Sequence, residues 1–364
     1  MNEQDMYFDI KDEEFEKIFN SESGEFEKIK EGKVIISLYG DVNSGKSQTI
    51  NALTGRKLSK VTAYAGETTD VLLHKYSENV FIADTPGLND KNTNISEKSI
   101  EFIQRDTDII ILFFNAAVGA CATILETYHN LKKMNKPIIL VLNKIDIWND
   151  EDEGFDSEAL NTVVDQIRKE TGENVIPISA KKKVNIEHLN NKIIELLSKD
   201  GKEVLFSKVS IYKDKQVAIW INVASTSAFG IGIIPLPGAD MIPLTTLQVG
   251  LALKIAYIYN CKVSKNEVMG LIASTVTGNI GKQVFKIGLQ GLKGLGWLGG
   301  PLLIGATATL AGSIAASVTY GFGYASKAYY KSGMQLDIGS MGDIYKEAYN
   351  KYYGVNSEVA ATTK

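Results

Sequence analysis

The stretch "KVIISLYGDVNSGKSQTINALTG" constrains the fold more than any other part of this 364-residue chain. Residues 34–39 form a nearly unbroken run of β-branched and other large apolar side chains. A strand with so little polar character must be covered on both faces. The run stops at Gly40 in a turn of Gly, Asn and Ser, and a helical pattern begins near Lys46. The same texture continues to about Lys199. Strands are predicted at "DVLLHKY", "NVFIADT", "DIIILFFN", "KPIILVLN" and "NVIPIS", and helices at "ATILETYHNLKKM", "SEALNTVVDQIRKE" and "IEHLNNKIIELLS". Strand–helix alternation of this kind predicts an α/β domain, with a mainly parallel sheet and helices on both faces. Ligands of such sheets bind beyond the carboxyl ends of the strands.

Four motifs stand at strand ends in this chain. "GDVNSGKS" has the spacing G-x-x-x-x-G-K-[ST] and lies between a strand and a helix, as that phosphate-binding motif requires. The glycines let backbone N–H groups turn inward, and the helix N-terminus adds positive potential. The segment Gly40, Asp41, Val42, Asn43, Ser44, Gly45, Lys46, Ser47 and Gln48 is therefore the predicted phosphate cradle. Lys46 would reach the β- and γ-phosphates, and Ser47 would bind Mg²⁺. Alone, the motif could be a glycine turn beside a surface lysine. "DTPG" adds Asp84, which can hold Mg²⁺ through water, and Gly87, whose N–H can meet the γ-phosphate. "NKID" adds Asn143, Lys144 and Asp146. The Asp146 carboxylate matches guanine's ring N–H and exocyclic amine, a donor pair that adenine lacks. Lys144 can lie along the base, and Asn143 can tie this loop to the phosphate cradle. "SAK" (Ser179, Ala180, Lys181) offers the Ala180 N–H to the guanine carbonyl. Together the four motifs predict GTP or GDP as ligand.

Residues 34–199 resemble the translation-factor-related GTPases, particularly the Era and TrmE-like group. The resemblance implies a Ras-like P-loop GTPase domain that hydrolyses GTP. It also implies that a threonine in "AGETTDV" binds Mg²⁺ in the GTP state. The group's Gly-x-Thr-x-Asp pattern places that role on Thr68, with Thr69 as fallback, and a Thr stands where the group usually has Arg. The predicted metal set is thus Ser47, Thr68 and Asp84. Leu88 occupies the place where Ras-like proteins have a water-orienting glutamine. Era and TrmE-like proteins share that change, and the resemblance implies a potassium ion held partly by Asn43. The expected catalytic set is Lys46, Thr68, Gly87 and Asn43, with a second G domain closing the site. Asn43 can equally be a plain turn residue. "GxxNSGKS" also resembles bacterial dynamin-like proteins, so a dynamin-like or immunity-related membrane-remodelling GTPase is the competing class. His74, His129 and His188 are scattered and show no metal spacing.

The rest of the chain has a different texture. Residues 1–31 carry 11 acidic against 4 basic residues, with Phe8, Phe15, Ile18, Phe19, Phe26 and Ile29 among them. The spacing predicts a short amphipathic helix docked on the next domain. Beyond Val204, Gly, Ala, Ser and Ile accumulate and strand-like alternation ends, so this part is predicted all-helical. "GIIPLPGADMIPLTTLQVGLALKIAYIYNCKVSKNE" resembles the YcjF-like family of unknown function, over about residues 210–330. Leu244, Leu247, Leu251, Ile255 and Ile258 form an apolar helical face there. Val217–Ala239 and Gly294–Ser326 are charge-free and long enough to span a bilayer. Their many small residues favour helix packing over a lipid-facing surface. A packed hairpin and membrane contact are both open readings.

Residues 205–364 carry 7 acidic residues against 14 lysines and no arginine. Specific nucleic-acid binding leans on arginine forks, so it is not expected. An anionic membrane could still attract the lysines. Two cysteines far apart, Cys121 and Cys261, and an acidic N-terminus predict a cytoplasmic protein, with the cytoplasmic membrane face as a further possibility. The expected organisation is an extension (1–31), a GTPase domain (32–200), a YcjF-like helical domain (201–335) and a tail (336–364). The expected function is a GTP-driven switch coupled to a helical effector domain.

Overall fold

The computed structural model describes residues 12–56, 72–84, 97–150, 154–233, 241–274 and 301–362. They divide into two compact units, Ile29–Lys213 and Met1–Lys28 together with Asp214–Lys364.

In the first unit six strands form one sheet. They are β1 (Val34–Gly40), β2 (Leu72–Lys75), β3 (Val80–Asp84), β4 (Ile109–Asn115), β5 (Ile138–Asn143) and β8 (Val175–Pro177), with β6 (Asn149–Asp150) and β7 (Gly154–Phe155) a separate small hairpin. The order is β2-β3-β1-β4-β5-β8. All neighbours are parallel except the edge strand β2, which runs antiparallel to β3. The parallel core follows from the apolar runs: Ile109 to Phe114 are all buried, as only coverage on both faces allows. The helices are α2 (Lys46–Thr54), α3 (Glu97–Asp106), α4 (Ala122–Lys132), α5 (Ser157–Thr171), α6 (Ile186–Leu197) and the short α7 (Glu203–Ser207). Ile103, Ile124, Leu131 and Ile167 from these helices join Ile110, Leu112 and Phe114 in one core cluster.

The register aligns the carboxyl ends. Asp84 pairs with Leu38, Gly40 with Phe113, and Asn115 with Asn143. That brings the ends of β3, β1, β4 and β5 to one edge. The unit runs past the expected boundary at residue 200. Val204, Leu205 and Phe206 are buried, and the Ile211 N–H donates to Leu53 O at 3.0 Å.

The second unit holds α1 (Asp12–Glu31) as far as Lys28, with α8 (Lys213–Gly232), α9 (Met241–Ile258), α10 (Lys265–Ile272), α11 (Pro301–Lys331) and α12 (Ile338–Thr362). Two expectations are corrected here. The amphipathic N-terminal helix, expected to dock on the domain that follows it, belongs as far as Lys28 to the helical unit, where Phe26 meets Tyr257 edge-on at 5.5 Å. Residues from 338 are helix where a tail was expected, since Met341, Tyr345 and Tyr349 are buried.

Small residues make this helical packing close. A Cβ on Gly323 would lie 2.7 Å from Ile221 Cγ1, and one on Gly321 would lie 2.9 Å from Tyr345 Cδ2. Asp214, in the first turn of α8, accepts a hydrogen bond from the Tyr259 hydroxyl at 2.6 Å and pairs with Lys331. Burial would raise its carboxyl, but the Lys331 and Tyr259 hydrogen bonds outweigh that and hold it below the usual carboxylate range. Among the described residues no helix is long and apolar enough to cross a membrane. Of the predicted α9 face, Leu251, Ile255 and Ile258 are buried while Leu244 and Leu247 are half-buried, and "PLPGAD" lies outside the described residues.

Candidate nucleotide-binding site

The turn after β1 has the form its glycines predict. Gly40 has φ 141° and Gly45 φ 89°, both in the region that favours glycine. Space also excludes side chains there. A Cβ on Gly40 would lie 2.8 Å from Phe113 O, and one on Gly45 would lie 2.1 Å from Asn143 Nδ2. Gly45 is the N-cap of α2 and supplies no side-chain cap. The first N–H groups of a helix have no intrahelical acceptor, so this end is suited to an anion. Ser44 is buried and its hydroxyl has no hydrogen-bond partner among the described residues. Lys46 Nζ donates to Gly40 O at 2.9 Å and Asp41 O at 3.2 Å, which curls it over the turn. Val42, Asn43, Ser47 and Gln48 are exposed along the turn and first helical residues. Asn43 has φ 65°, a left-handed conformation that asparagine tolerates better than most residues.

Asn143 joins three loops. It is 1% exposed, and its Nδ2 donates to Ser44 O at 2.8 Å. Its Oδ1 accepts from the Lys144 N–H at 2.8 Å and the Ala180 N–H at 3.1 Å. The Ala180 N–H, expected to be offered to the guanine carbonyl, is engaged by Asn143. Lys144 takes φ 69°, which reverses the chain into a short 3-10 turn over Ile145–Trp148. Asp146 lies in that turn, half-buried, and its Oδ1 accepts from Ser179 Oγ at 2.6 Å. Ser179 is fully buried and its Oγ also accepts from the Lys182 N–H at 3.0 Å. The Ser179 hydroxyl therefore orients the Asp146 carboxylate. The "SAK" motif carried that signal, although the sequence reading drew only the Ala180 N–H from it. Lys181 is exposed.

The structure thus brings together Gly40 to Gln48, Asn143 to Asp146 and Ser179 to Ala180. Asp84 ends β3 beside Leu38, two residues before Gly40. Thr68, Thr69, Gly87 and Leu88 lie outside the described residues.

The strand order and this set of loops define a P-loop nucleotide-binding domain. Residues 35–144 match the family described as 50S ribosome-binding GTPase, and residues 208–353 match a domain of unknown function, DUF697. GTPase Der of Persephonella marina is 28% identical over 206 residues, covering 52% of this chain and 44% of the relative. GTPase Era of Aquifex aeolicus is 30% identical over 174 residues, covering 44% of this chain and 56% of the relative. A crystal structure of an Aquifex aeolicus Era variant bound to GDP.AlF4- superposes with a TM-score of 0.35 at 28% identity, over 45% of this chain and 57% of that one. The chain spans about half the length of the curated relatives it matches. It is built from a GTPase domain related to Era and Der, followed by a DUF697 domain. That second match is consistent with the YcjF-like helical domain expected at residues 210–330.

Proposed function

We propose that residues 29–213 bind GTP and GDP and hydrolyse GTP, and that the protein is a molecular switch coupled to its helical unit. The observation that carries this reading is the Asn143 side chain, which locks the phosphate turn, the Asp146 turn and the Ala180 loop into one frame. A rigid frame spanning phosphate and base sites is the preorganisation that nucleotide binding needs. A carboxylate has about four lone-pair positions and Ser179 uses one, so Asp146 keeps acceptors for guanine's two N–H donors. The Ala180 N–H would share its hydrogen between Asn143 Oδ1 and the guanine carbonyl.

At the phosphate end, Lys46 would leave the carbonyls of Gly40 and Asp41 for the β- and γ-phosphates. The Ser44 hydroxyl and the open first turn of α2 are further donors. These residues fit a nucleotide–metal complex: Ser47, Asp84 and Thr68 are the oxygen groups for Mg²⁺, with Thr69 as alternative. When bound, Mg²⁺ neutralises charge on the phosphate oxygens. Asn43 is the group for K⁺, and a second G domain would complete the enclosure. The left-handed backbone at Asn43 also gives it a turn role, so only the salt dependence of turnover separates the two.

Phosphate release from GTP tests the reading. Lys46→Ala should lose at least about 100-fold in turnover, the scale of removing a charged group from a transition state. Its circular-dichroism spectrum should be unchanged. Normal turnover in that variant would move the chemistry elsewhere.

Contact with an anionic membrane is a second reading, favoured by the outer side of α8. Ile219 and Val223 are exposed there, and no charged residue lies between Val217 and Gly232. Flotation with anionic vesicles should recover more protein with a non-hydrolysable GTP analogue than with GDP. No recovery in either state removes this reading and the membrane-remodelling alternative with it.

A further inference from the structure

Within the helical unit, opposite charges meet where α1 docks. From Asp12 to Lys28 this helix carries seven acidic residues against two lysines. The chain from residue 205 onward carries 14 lysines against seven acidic residues. Glu16 pairs with Lys265 at 2.9 Å, and Phe26 meets Tyr257. A Cβ on Gly250 would lie 2.8 Å from Glu22 Oε2, and Lys254 attracts the Glu22 carboxylate. Gly250, Lys254 and Tyr257 are spaced i, i+4, i+7, so α1 meets one stripe of α9. Lys265 opens α10, a helix start where the dipole favours anions, so its place is explained by the acid it meets and not by its own helix.

The hold on α1 is imperfect at three consecutive residues. Burial raises the Glu22 carboxyl above its usual range; Glu25 adds to this and Lys254 opposes it. Ser23 Oγ is buried with no hydrogen-bond partner among the described residues. Both groups regain water when the helix leaves. Gly24 weakens the helix interior, and no described atom lies within 4 Å of the place its Cβ would take.

The face that α1 meets has the side chains of a membrane interface. Lys254 Nζ lies 5.6 Å from the centre of the Trp220 ring. Trp220 stands on α8 between Ile219 and Val223, both exposed. Lysine with tryptophan and tyrosine beside apolar side chains suits the boundary between water and lipid. Residues 205–364 contain no arginine, whose fork fits a single carboxylate or phosphate. Lysine point charges suit a diffuse anionic surface better.

We propose that α1 is a removable acidic cover over a lipid-binding face. When it leaves, Gly250, Lys254 and Tyr257 of α9, with Lys265 and Trp220, bind an anionic membrane surface. Lipid headgroups and the carboxylates of α1 compete for the same lysines. The inference rests on the membrane reading of the helical unit.

Flotation of the full chain with GDP tests it, on vesicles of phosphatidylcholine with and without phosphatidylserine. Phe15→Ala/Phe26→Ala loosens α1 without changing any charge, and circular dichroism checks that its helices remain. Binding to phosphatidylserine vesicles should rise about five-fold or more over wild type, the gain from one lysine brought to an anionic surface. Neutral vesicles should show no such rise, and adding Lys254→Gln and Lys265→Gln should remove it. Hydrogen exchange of the wild type needs no variant: amides of residues 14–26 should exchange faster once phosphatidylserine vesicles are bound. A wild type that floats while the loosened variant gains nothing overturns the cover and leaves the membrane reading standing. Unchanged exchange of residues 14–26 in vesicle-bound wild type does the same. An equal gain on neutral vesicles, or a variant that dimerises instead of binding vesicles, also overturns it. No flotation of either protein on any vesicle removes the membrane reading itself, and the cover with it.

Discussion

The two units of this protein use glycine for opposite ends. In the sheet unit, Gly40 and Gly45 have positive φ and bring backbone N–H groups to a place where an anion can sit. In the helical unit, Gly321 and Gly323 lie inside α11 with ordinary helical backbone, and their missing side chains admit Tyr345 and Ile221. Buried polar groups differ in the same way. Asn143 and Ser179 are buried at loops and order the site, whereas Ser225 and Ser326 are buried within helices and bond to carbonyls one turn back. Damage in the sheet unit should therefore appear first as lost chemistry. Damage in the helical unit should appear first as lost stability.

The largest effect that sharpens this contrast is expected at Gly323. Gly323→Val would drive a side chain into Ile221, and overpacking of this kind costs about 2 kcal/mol. For a unit of this size that lowers the melting temperature by about 4–8 °C. Thermal unfolding should show the shift while GDP affinity at fixed low temperature is nearly unchanged. A large loss of GDP affinity without a stability change would break the contrast.

A smaller effect is expected from the salt that accompanies GTP. Leu88 can neither donate nor accept a hydrogen bond, so other groups must orient the attacking water and stabilise the transition-state charge. Hydrolysis should run faster in KCl than in NaCl at equal ionic strength. The gain should be on the order of 1–2 kcal/mol of barrier, or about 5- to 30-fold in rate. It should vanish in Asn43→Ala. Equal rates in both salts at several protein concentrations would leave Asn43 with only its turn role, which its left-handed φ already explains.

The sheet unit was legible in the sequence because each of its devices is local. Runs such as Ile109–Phe114 show burial on both faces, and the turns Gly40–Ser47 and Asn143–Asp146 announce themselves by residue type and spacing. The Ser179–Asp146 hydrogen bond was not read, because it joins residues 33 positions apart and depends on how two turns face each other. The hydrogen bonds from Asn79 Nδ2 to the carbonyls of Lys30 and Gly32 were invisible for the same reason, since backbone carbonyls carry no signature in sequence. In the helical unit the composition predicted helices and close packing. It could not show that Tyr345 and Tyr349 anchor the last helix, nor that α1 docks on α9. Periodicity reports that a face is apolar but not which face it meets.

The central claim is that Asp146, oriented by Ser179, makes this a guanine site. Equilibrium binding of GDP and xanthosine diphosphate to wild type and Asp146→Asn tests it most directly. An asparagine at this position loses the double acceptor but gains an N–H that matches the xanthine carbonyl. The wild type should prefer GDP, and the variant should lose at least about ten-fold in GDP affinity, the usual scale for an unmatched buried polar pair, while its preference turns to xanthosine diphosphate. Equal GDP affinity in the two proteins would contradict the account.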